Sequence, residues 1–409
     1  MLVLENMFCA PMSISRRANG ARLSQNGFSL IDVMIGLVIG LLTVLAVTQA
    51  LSAWGVRHRT VSTKSDSLTT VTLAAYTLDQ DLKQAGQGFG SVHTSDPLSY
   101  MDTIAGCPVT GTATTASPAA TTPISFSMLG LQIIGGVVAG APDQIVTVYG
   151  SSAYRALPEK VLTYSGSVKY VDNISGINAG DVIVMPSNSA GSSCTLAEVT
   201  STDPAVLLSD KAFAHQTSSY QSFYNPIGTM STPVFNPAAG GGSGPFWSVY
   251  DLGPSPQVNQ WSIGGTAVNP ILQRTSLIPV NGSFPAVREV AEGIVNLQAQ
   301  YGYDLSANGQ ISSTEWFDPD STNKPNIGGP VDWTKVLAIR YAILARSRNY
   351  EPAPFVAPNP VWASGSFVMT DIGGTTDTNP VGPSNWRNYR YSVYEGVIPI
   401  RNLLWGNNQ

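Results

Sequence analysis

Charge is scarce in this chain: 21 Lys and Arg and 26 Asp and Glu stand among 409 residues, 11% in all. The formal net charge is −5 and no basic run occurs, which argues against nucleic acid as a partner. Histidine is scarcer still, and His58, His93 and His215 lie too far apart for metal-ligand spacing. A phosphate-cradling Gly-rich loop and a nucleophile elbow are both missing, so no catalytic constellation is legible. There are three cysteines, Cys9, Cys107 and Cys194, at separations that exclude a compact metal knuckle. What is abundant is apolar residues (43%), 39 Gly and 28 Pro, a profile of an extracytoplasmic β-rich protein with long loops rather than a cytosolic helical enzyme.

One stretch dominates the rest. From Phe28 to Trp54 the only charged side chain is Asp32, and about 20 apolar residues are enough to cross a bilayer as a helix. A carboxylate in hydrocarbon costs several kcal/mol unless partnered, so Asp32 needs a cation. Arg16, Arg17 and Arg22 precede the run as in a secretory signal. The run is too long for that reading, lacks a small-x-small cleavage site at its far end, and continues into an amphipathic segment. A plain signal anchor fits better but leaves the junction Asn26-Gly27-Phe28-Ser29-Leu30-Ile31-Asp32 unexplained.

That junction resembles type IV prepilins. The resemblance implies cleavage after Gly27 by a prepilin peptidase, N-methylation of the new terminal Phe28, and a filament-assembly role for Asp32, at the place where the family normally carries Glu. The freed amine and the carboxylate of a neighbouring subunit would then offset each other's desolvation in a helical stack. Removing residues 1–27 takes away a net +2 and leaves the chain near −7. The leader is long for this family, and Met12 is an alternative start. Processing also removes Cys9 and leaves Cys107 and Cys194 in an oxidising compartment. A disulfide is the simplest reading and two free thiols the alternative.

Beyond Trp54, apolar residues at Leu68, Val71, Ala75, Leu78, Leu82 and Ala85 step by threes and fours and predict one narrow helix face. Gly86, with Gly88 and Gly90 beyond, predicts the helix end. A continuous helix from Phe28 to Ala85 would be on the order of 85 Å long. Gly36 and Gly40 form a small-xxx-small spacing, compatible with close helix approach or with ordinary glycine tolerance in membrane helices. Asp79 and Asp81 point to different helix faces and read as solvated charge.

Leu78-Asp79-Gln80-Asp81-Leu82-Lys83-Gln84-Ala85-Gly86 with Phe89-Gly90 behind it is similar to the helix end of PilW-type minor pilins. Three later blocks carry the same resemblance: the Tyr301-Gly302-Tyr303-Asp304 hairpin, the apolar strand Val336–Ser347, and the strand from Tyr389 to the closing Arg401-Asn402. It covers Gly27–Gly90 and Val287–Asn402. Between them, Gln144–Tyr149 and Asp181–Met185 read as strands, whereas Thr110–Thr122 and Ala238–Pro245 read as exposed loops.

The predicted class is α+β: a long N-terminal helix, half transmembrane and half amphipathic, packed on a mostly antiparallel β-sheet head with long loops. The predicted parts are a leader (1–27), the pilin helix (28–85, with 28–54 in membrane or filament core), a β-rich region with insertions (86–286) and a PilW-like β-region (287–409). The resemblance implies a non-enzymatic minor pilin of the type IV pilus. Its partners would be other minor pilins, the major pilin, the prepilin peptidase and a tip adhesin. It would sit in the inner membrane with its head in the periplasm, then in the pilus. The rival readings are a minor pseudopilin of type II secretion and, more distantly, a membrane-anchored periplasmic enzyme or binding protein.

One cofactor expectation remains. Asp304, Ser306, Asn308, Gln310 and Glu315 fall at the first, third, fifth, seventh and twelfth places of a calcium-loop template, with Gly309 at the sixth. Against calcium stands a metal-free Asn308-Gly309 hairpin, since the preceding segment alternates like a strand. Trp316, Trp333, Trp362, Trp386 and Trp405 cluster late; their expected role is core packing, with a carbohydrate platform as the alternative.

Overall fold

The computed structural model describes residues 29–89, 104–116, 119–152, 158–186, 193–215, 235–236, 248–279, 284–351, 355–371, 386–400 and 402. Helix α1 spans Leu30–Gln84, 55 residues. Among the described residues the chain then runs almost entirely through strands. These are β1 (Cys107–Ala116), β2 (Ala119–Met128), β3 (Leu131–Ile134), β4 (Gln144–Tyr149), β5 (Glu159–Ser165), β6 (Val168–Val171) and β7 (Val182–Met185). There follow β8 (Thr195–Glu198), β9 (Ala212–Ala214), β10 (Phe235–Asn236), β11 (Ser248–Gly253), β12 (Gln257–Gly265), β13 (Pro270–Ser276) and β14 (Arg288–Glu292). The last are β15 (Ile294–Tyr303), β16 (Trp316–Phe317), β17 (Val336–Arg346), β18 (Val361–Trp362), β19 (Gly365–Ser366) and β20 (Tyr391–Pro399).

The chain divides at Thr60 into two compact units. In the first, the apolar side chains of Leu30–Leu51 are exposed, and this segment is long and apolar enough to cross a membrane. In the second, the sheets are β10-β1-β2, β8-β7-β11-β5-β6-β9, β14-β13-β12-β4-β3, β16-β15-β17-β20 and the small β18-β19 hairpin. Every strand pair is antiparallel, so the α+β class read from the sequence is the class observed.

Packing follows from the periodicities. Val71, Ala74, Ala75, Leu78, Leu82 and Ala85 are all nearly inaccessible and share one core with Ile133, Ile145, Trp261 and Leu272 of one sheet and Leu297, Tyr301, Ile339 and Ile343 of another. The predicted helix face is therefore the buried one, except that Leu68 is exposed. The helix stops where expected. Gly86 takes φ +82°, which L side chains rarely adopt, and a Cβ on Gly130 would come within 2.8 Å of its nitrogen. Gly86 N–H then donates to Val148 O at 2.9 Å, so the helix end and β4 are hydrogen-bonded directly.

Two expectations about the chain's course are corrected. Thr110–Thr122 is not a loop: β1 and β2 pair continuously from Cys107↔Met128 to Ala116↔Ala119. Threonine is β-branched, and a Thr-rich run between Gly and Pro residues satisfies strand geometry as readily as a polar loop. Asn308-Gly309 is not a tight two-residue turn. β15 and β16 pair at Tyr301↔Phe317 and Gly302↔Trp316, leaving residues 304–315 as a wide connection in which Ala307 and Gly309, not Asn308, take positive φ. The Ala238–Pro245 tract lies outside the described residues.

A second core, around Phe126, Met128, Val148, Val184 and Tyr250, fills the middle of the chain. Cys107 at the start of β1 and Cys194 beside β8 are joined in a disulfide with Cα atoms 5.8 Å apart and a sequence separation of 87. Cys194 N–H also donates to Pro108 O at 2.9 Å, tying two sheets at one point. Closing a loop of that length restricts the unfolded chain by roughly 4 kcal/mol. The double variant Cys107→Ala/Cys194→Ala is therefore expected to lower the melting temperature of the β-sheet head, followed by circular dichroism, by roughly 5 °C.

Candidate functional site

The lone acid of the apolar run sits in the first turn of its helix. Ser29 begins that turn: its carbonyl accepts from Asp32 and Val33 N–H at 3.0 and 3.3 Å, and its hydroxyl accepts from Ile31 N–H at 3.4 Å. Asp32 is thus three residues inside a Ser cap, where a negative charge complements the helix dipole. Its carboxylate is exposed, as are Leu30, Ile31, Val33, Met34 and Ile35 around it. Gly27 and Phe28 lie outside the described residues. A Cβ at Gly36 or Gly40 would meet nothing within 4 Å, so both positions are open to an incoming surface.

At the other end of the helix, Asp81 overturns the expectation of solvated charge. It is 4% exposed and lies three residues past Leu78 and four before Ala85, on the buried stripe itself. Burying a carboxylate is tolerable only when its oxygens are saturated with donors. Thr147 Oγ1 donates to it at 2.7 Å, Tyr149 OH at 2.8 Å, Asn259 Nδ2 at 3.0 Å and Trp261 Nε1 at 2.6 Å. Arg274 adds a guanidinium at 3.9 Å. Burial and the neighbouring Asp81 charge both push the Tyr149 phenol up, keeping it a donor. These five partners come from β4, β12 and β13.

Asp79 faces the other sheet. It accepts from Tyr341 OH and pairs with Lys83 at 3.7 Å. Burial, then the hydrogen bond to Asp79, raises the Tyr341 phenol. Gly396 makes room for this ring, since a Cβ there would meet it at 2.7 Å. The helix end is closed by Asn402, whose side-chain amide donates to Gln84 O at 3.2 Å and Ala85 O at 3.0 Å. The terminal Asn of the Arg-Asn motif is therefore a helix cap, a role its position in the sequence did not suggest.

The calcium-template residues converge into a loop that closes on itself. Asp304 accepts from Asn308 N–H at 3.1 Å and Gly309 N–H at 2.7 Å, and Ser306 Oγ approaches it at 3.4 Å. Glu315 accepts from Ser306 N–H at 3.0 Å and Ser312 N–H at 2.8 Å, while Gln310 donates its N–H to Asn308 Oδ1 at 2.9 Å. Any cation here would have to share these carboxylate oxygens with the loop's own amides. Among the described residues no three His, Cys, Asp or Glu side chains are grouped to hold a metal ion. His215 is buried, and His93 lies outside the described residues.

Helix α1 is thus apolar and exposed in its first half and clamped into an antiparallel sheet head in its second. Residues 260–402 match the family model described as PilW, Type IV Pilus-assembly protein W. The resemblance read from the C-terminal blocks therefore holds, and it reaches back to include Trp261 and Arg274. The stretch Gly27–Gly90 lies outside that match. Among solved structures, a type IV-like pilin from Thermus thermophilus is 10% identical over 83% of this chain and 97% of its own, with a TM-score of 0.28, too low for the superposition to bear on the fold. No curated protein matches significantly.

Two outcomes test this geometry. Asp81→Ala leaves a half-buried guanidinium and four donors unpartnered and should destabilise the head by about 3–5 kcal/mol in urea denaturation followed by tryptophan fluorescence; Asp79→Ala should cost about 1 kcal/mol. The Ser312 and then Ser306 hydrogen bonds hold the Glu315 carboxyl down to about 2 from the ordinary 4.5. A depressed acid contributes stability above its unfolded value and loses it as pH falls toward its folded one. Glu315→Gln should therefore flatten the decline in unfolding midpoint between pH 4.5 and about 2.

Proposed function

We propose that this chain is a minor pilin of the type IV pilus. It inserts in the inner membrane with its head in the periplasm, is cleaved after Gly27 and N-methylated at Phe28, and joins other minor pilins in a tip complex that primes assembly. The observation that carries this reading is the pairing of a capped, fully exposed apolar helix bearing one acid, Asp32, with a C-terminal region similar to PilW. An exposed helix of this length has two dry environments open to it: lipid before assembly and sister helices after. Cleavage would leave a cationic amine at Phe28, one helical turn from Asp32. In a stack, that amine and a neighbour's carboxylate relieve each other's desolvation, which favours the filament over the bilayer.

The role is structural, and the partners are other minor pilins, the major pilin, the prepilin peptidase before assembly, and a tip adhesin. Asp32→Ala should leave membrane insertion and leader cleavage intact while the protein disappears from sheared filaments. Asp32→Glu, which restores the residue usual in prepilins, should retain incorporation. Mass spectrometry of the filament protein should give a methylated N-terminal Phe28. Normal piliation in the alanine variant, or an uncut native chain, would end this reading. Loss of secretion instead of loss of pili in a deletion strain would move the protein to a type II secretion pseudopilin.

A further inference from the structure

The face of the β15–β17–β20 sheet turned away from α1 is divided: Ala342 and Leu344 of β17 give it an apolar cluster with Phe367, whereas β15 gives it a row of polar side chains. On β15, Leu297, Ala299 and Tyr301 enter the core shared with the helix. The alternate positions Asn296, Gln298 and Gln300 therefore point outward, and all three are carboxamides. They line or border a cleft of about 320 Å³ closed on one side by the loop Gly135–Asp143 and on the other by β18–β19, where Trp362, packed on the buried Phe367, supplies ring surface. A neighbouring cleft of about 470 Å³ shares Val138–Ala141, Asn296 and Val368 with it.

The amides are pinned rather than loose. Asn296 Nδ2 donates to Gly140 O at 3.0 Å; Gln298 Nε2 donates to Ala141 O at 2.8 Å and Asn296 Oδ1 at 2.9 Å. Gln300 Nε2 donates to Asp318 Oδ1 and Ser364 Oγ, both at 2.8 Å, and its Oε1 accepts from Arg340 Nε at 2.6 Å. Arg340 lies over Trp316 at 4.9 Å and over Trp362 at 5.7 Å, which fixes the ring that borders the cleft. Among the described residues, Gln298 Oε1, Asp318 Oδ2 and Ser366 Oγ have no hydrogen-bond partner. Rigid polar groups beside an aromatic wall in a cleft of this size make a small-ligand site rather than a flat contact surface.

The chemistry selects the ligand. Asp143 and Asp318 line the cleft and oppose an anion, Arg340 beside Asp318 offsets part of that negative charge, and the amide row disfavours a purely apolar guest. A neutral molecule carrying several hydroxyls on an apolar skeleton satisfies all three conditions, with its O–H groups donating to the open acceptors and its C–H face on the rings. We infer that this cleft binds a neutral oligosaccharide, with Gln298 and Asp318 accepting from sugar hydroxyls and Trp362 bordering the ring. This inference is independent of the pilus reading and would stand for any surface protein with this head.

The test uses the full chain in a zwitterionic detergent without a sugar headgroup, with saturation-transfer NMR and titration. The probes are cellotriose, a plain glucan, and chitotriose, which carries the acetylated sugar of cell-wall glycans. Binding of either supports the site, and their ratio tells an external polysaccharide from wall glycan. Gln298→Ala and Trp362→Ala should weaken binding at least ~10-fold. Because Gln298 also holds the Ala141 loop, Ser366→Tyr is the second variant: it fills the cleft from an exposed edge residue without touching the amide row and should give the same loss. Arg348→Ala, at an exposed ion pair with Glu292, should change nothing. No binding of either probe, or binding unchanged in Ser366→Tyr, overturns the proposal.

Discussion

Burying the Asp81 carboxylate in the face of an otherwise apolar helix would cost several kcal/mol if its oxygens went unmatched. Hydrogen bonds and an ion pair from five side chains on β4, β12 and β13 offset that cost, and in doing so they permit one seating of the helix on the sheet. An apolar stripe alone tolerates sliding by a turn, because Leu78, Leu82 and Ala85 can exchange places against a smooth surface. A carboxylate with four aligned donors cannot. Asp79 and Tyr341 do the same toward the second sheet, so the helix is fixed in register on both sides. This registry is the condition for the rest of the head, since both sheets share the core that the helix fills.

The family match, which begins at residue 260, takes in Trp261 and Arg274 but not Thr147, Tyr149 or Asp81. The part of the chain that resembles PilW thus contains two of the five clamp partners and all of the sheet carrying Tyr341 and Gly396. The middle strands contribute the other three, Thr147, Tyr149 and Asn259. They also carry their own core and the Cys107–Cys194 link.

Much of this architecture was legible beforehand because its signals are local. Alternation over Gln298–Tyr303 and Val336–Ser347 foretold β15 and β17, and β20 came out at Tyr391–Pro399, inside the expected segment. The three-and-four spacing of the second half of α1 foretold its buried face, and Gly86 its end. What escaped is long-range. Thr147, Tyr149, Asn259 and Trp261 lie 66 to 180 residues from Asp81, and each looks like an ordinary strand residue on its own. The local clue is the position of Asp81 between Leu78 and Ala85: a charge on the apolar stripe is carried into the core with its neighbours. In the Thr-rich hairpin, composition suggested a loop while β-branching allowed a strand, and pairing decided. The Asn-Gly pair was read as a tight turn although two carboxylates, Asp304 and Glu315, bracket a connection wide enough to need them.

Asn402 caps a helix whose last residues precede it by more than 300 positions. The final turn of α1 is therefore completed by a residue made more than 300 positions later. Until that residue arrives, the carbonyls of Gln84 and Ala85 lack this donor. A chain arranged in this way postpones the completion of that turn until Asn402 has been made, and contacts of such separation slow the search for the native state. For a polypeptide whose first segment is apolar enough to partition into a bilayer, that delay has a direction: the greasy end can be taken up by lipid before the head has closed around its own half of the helix.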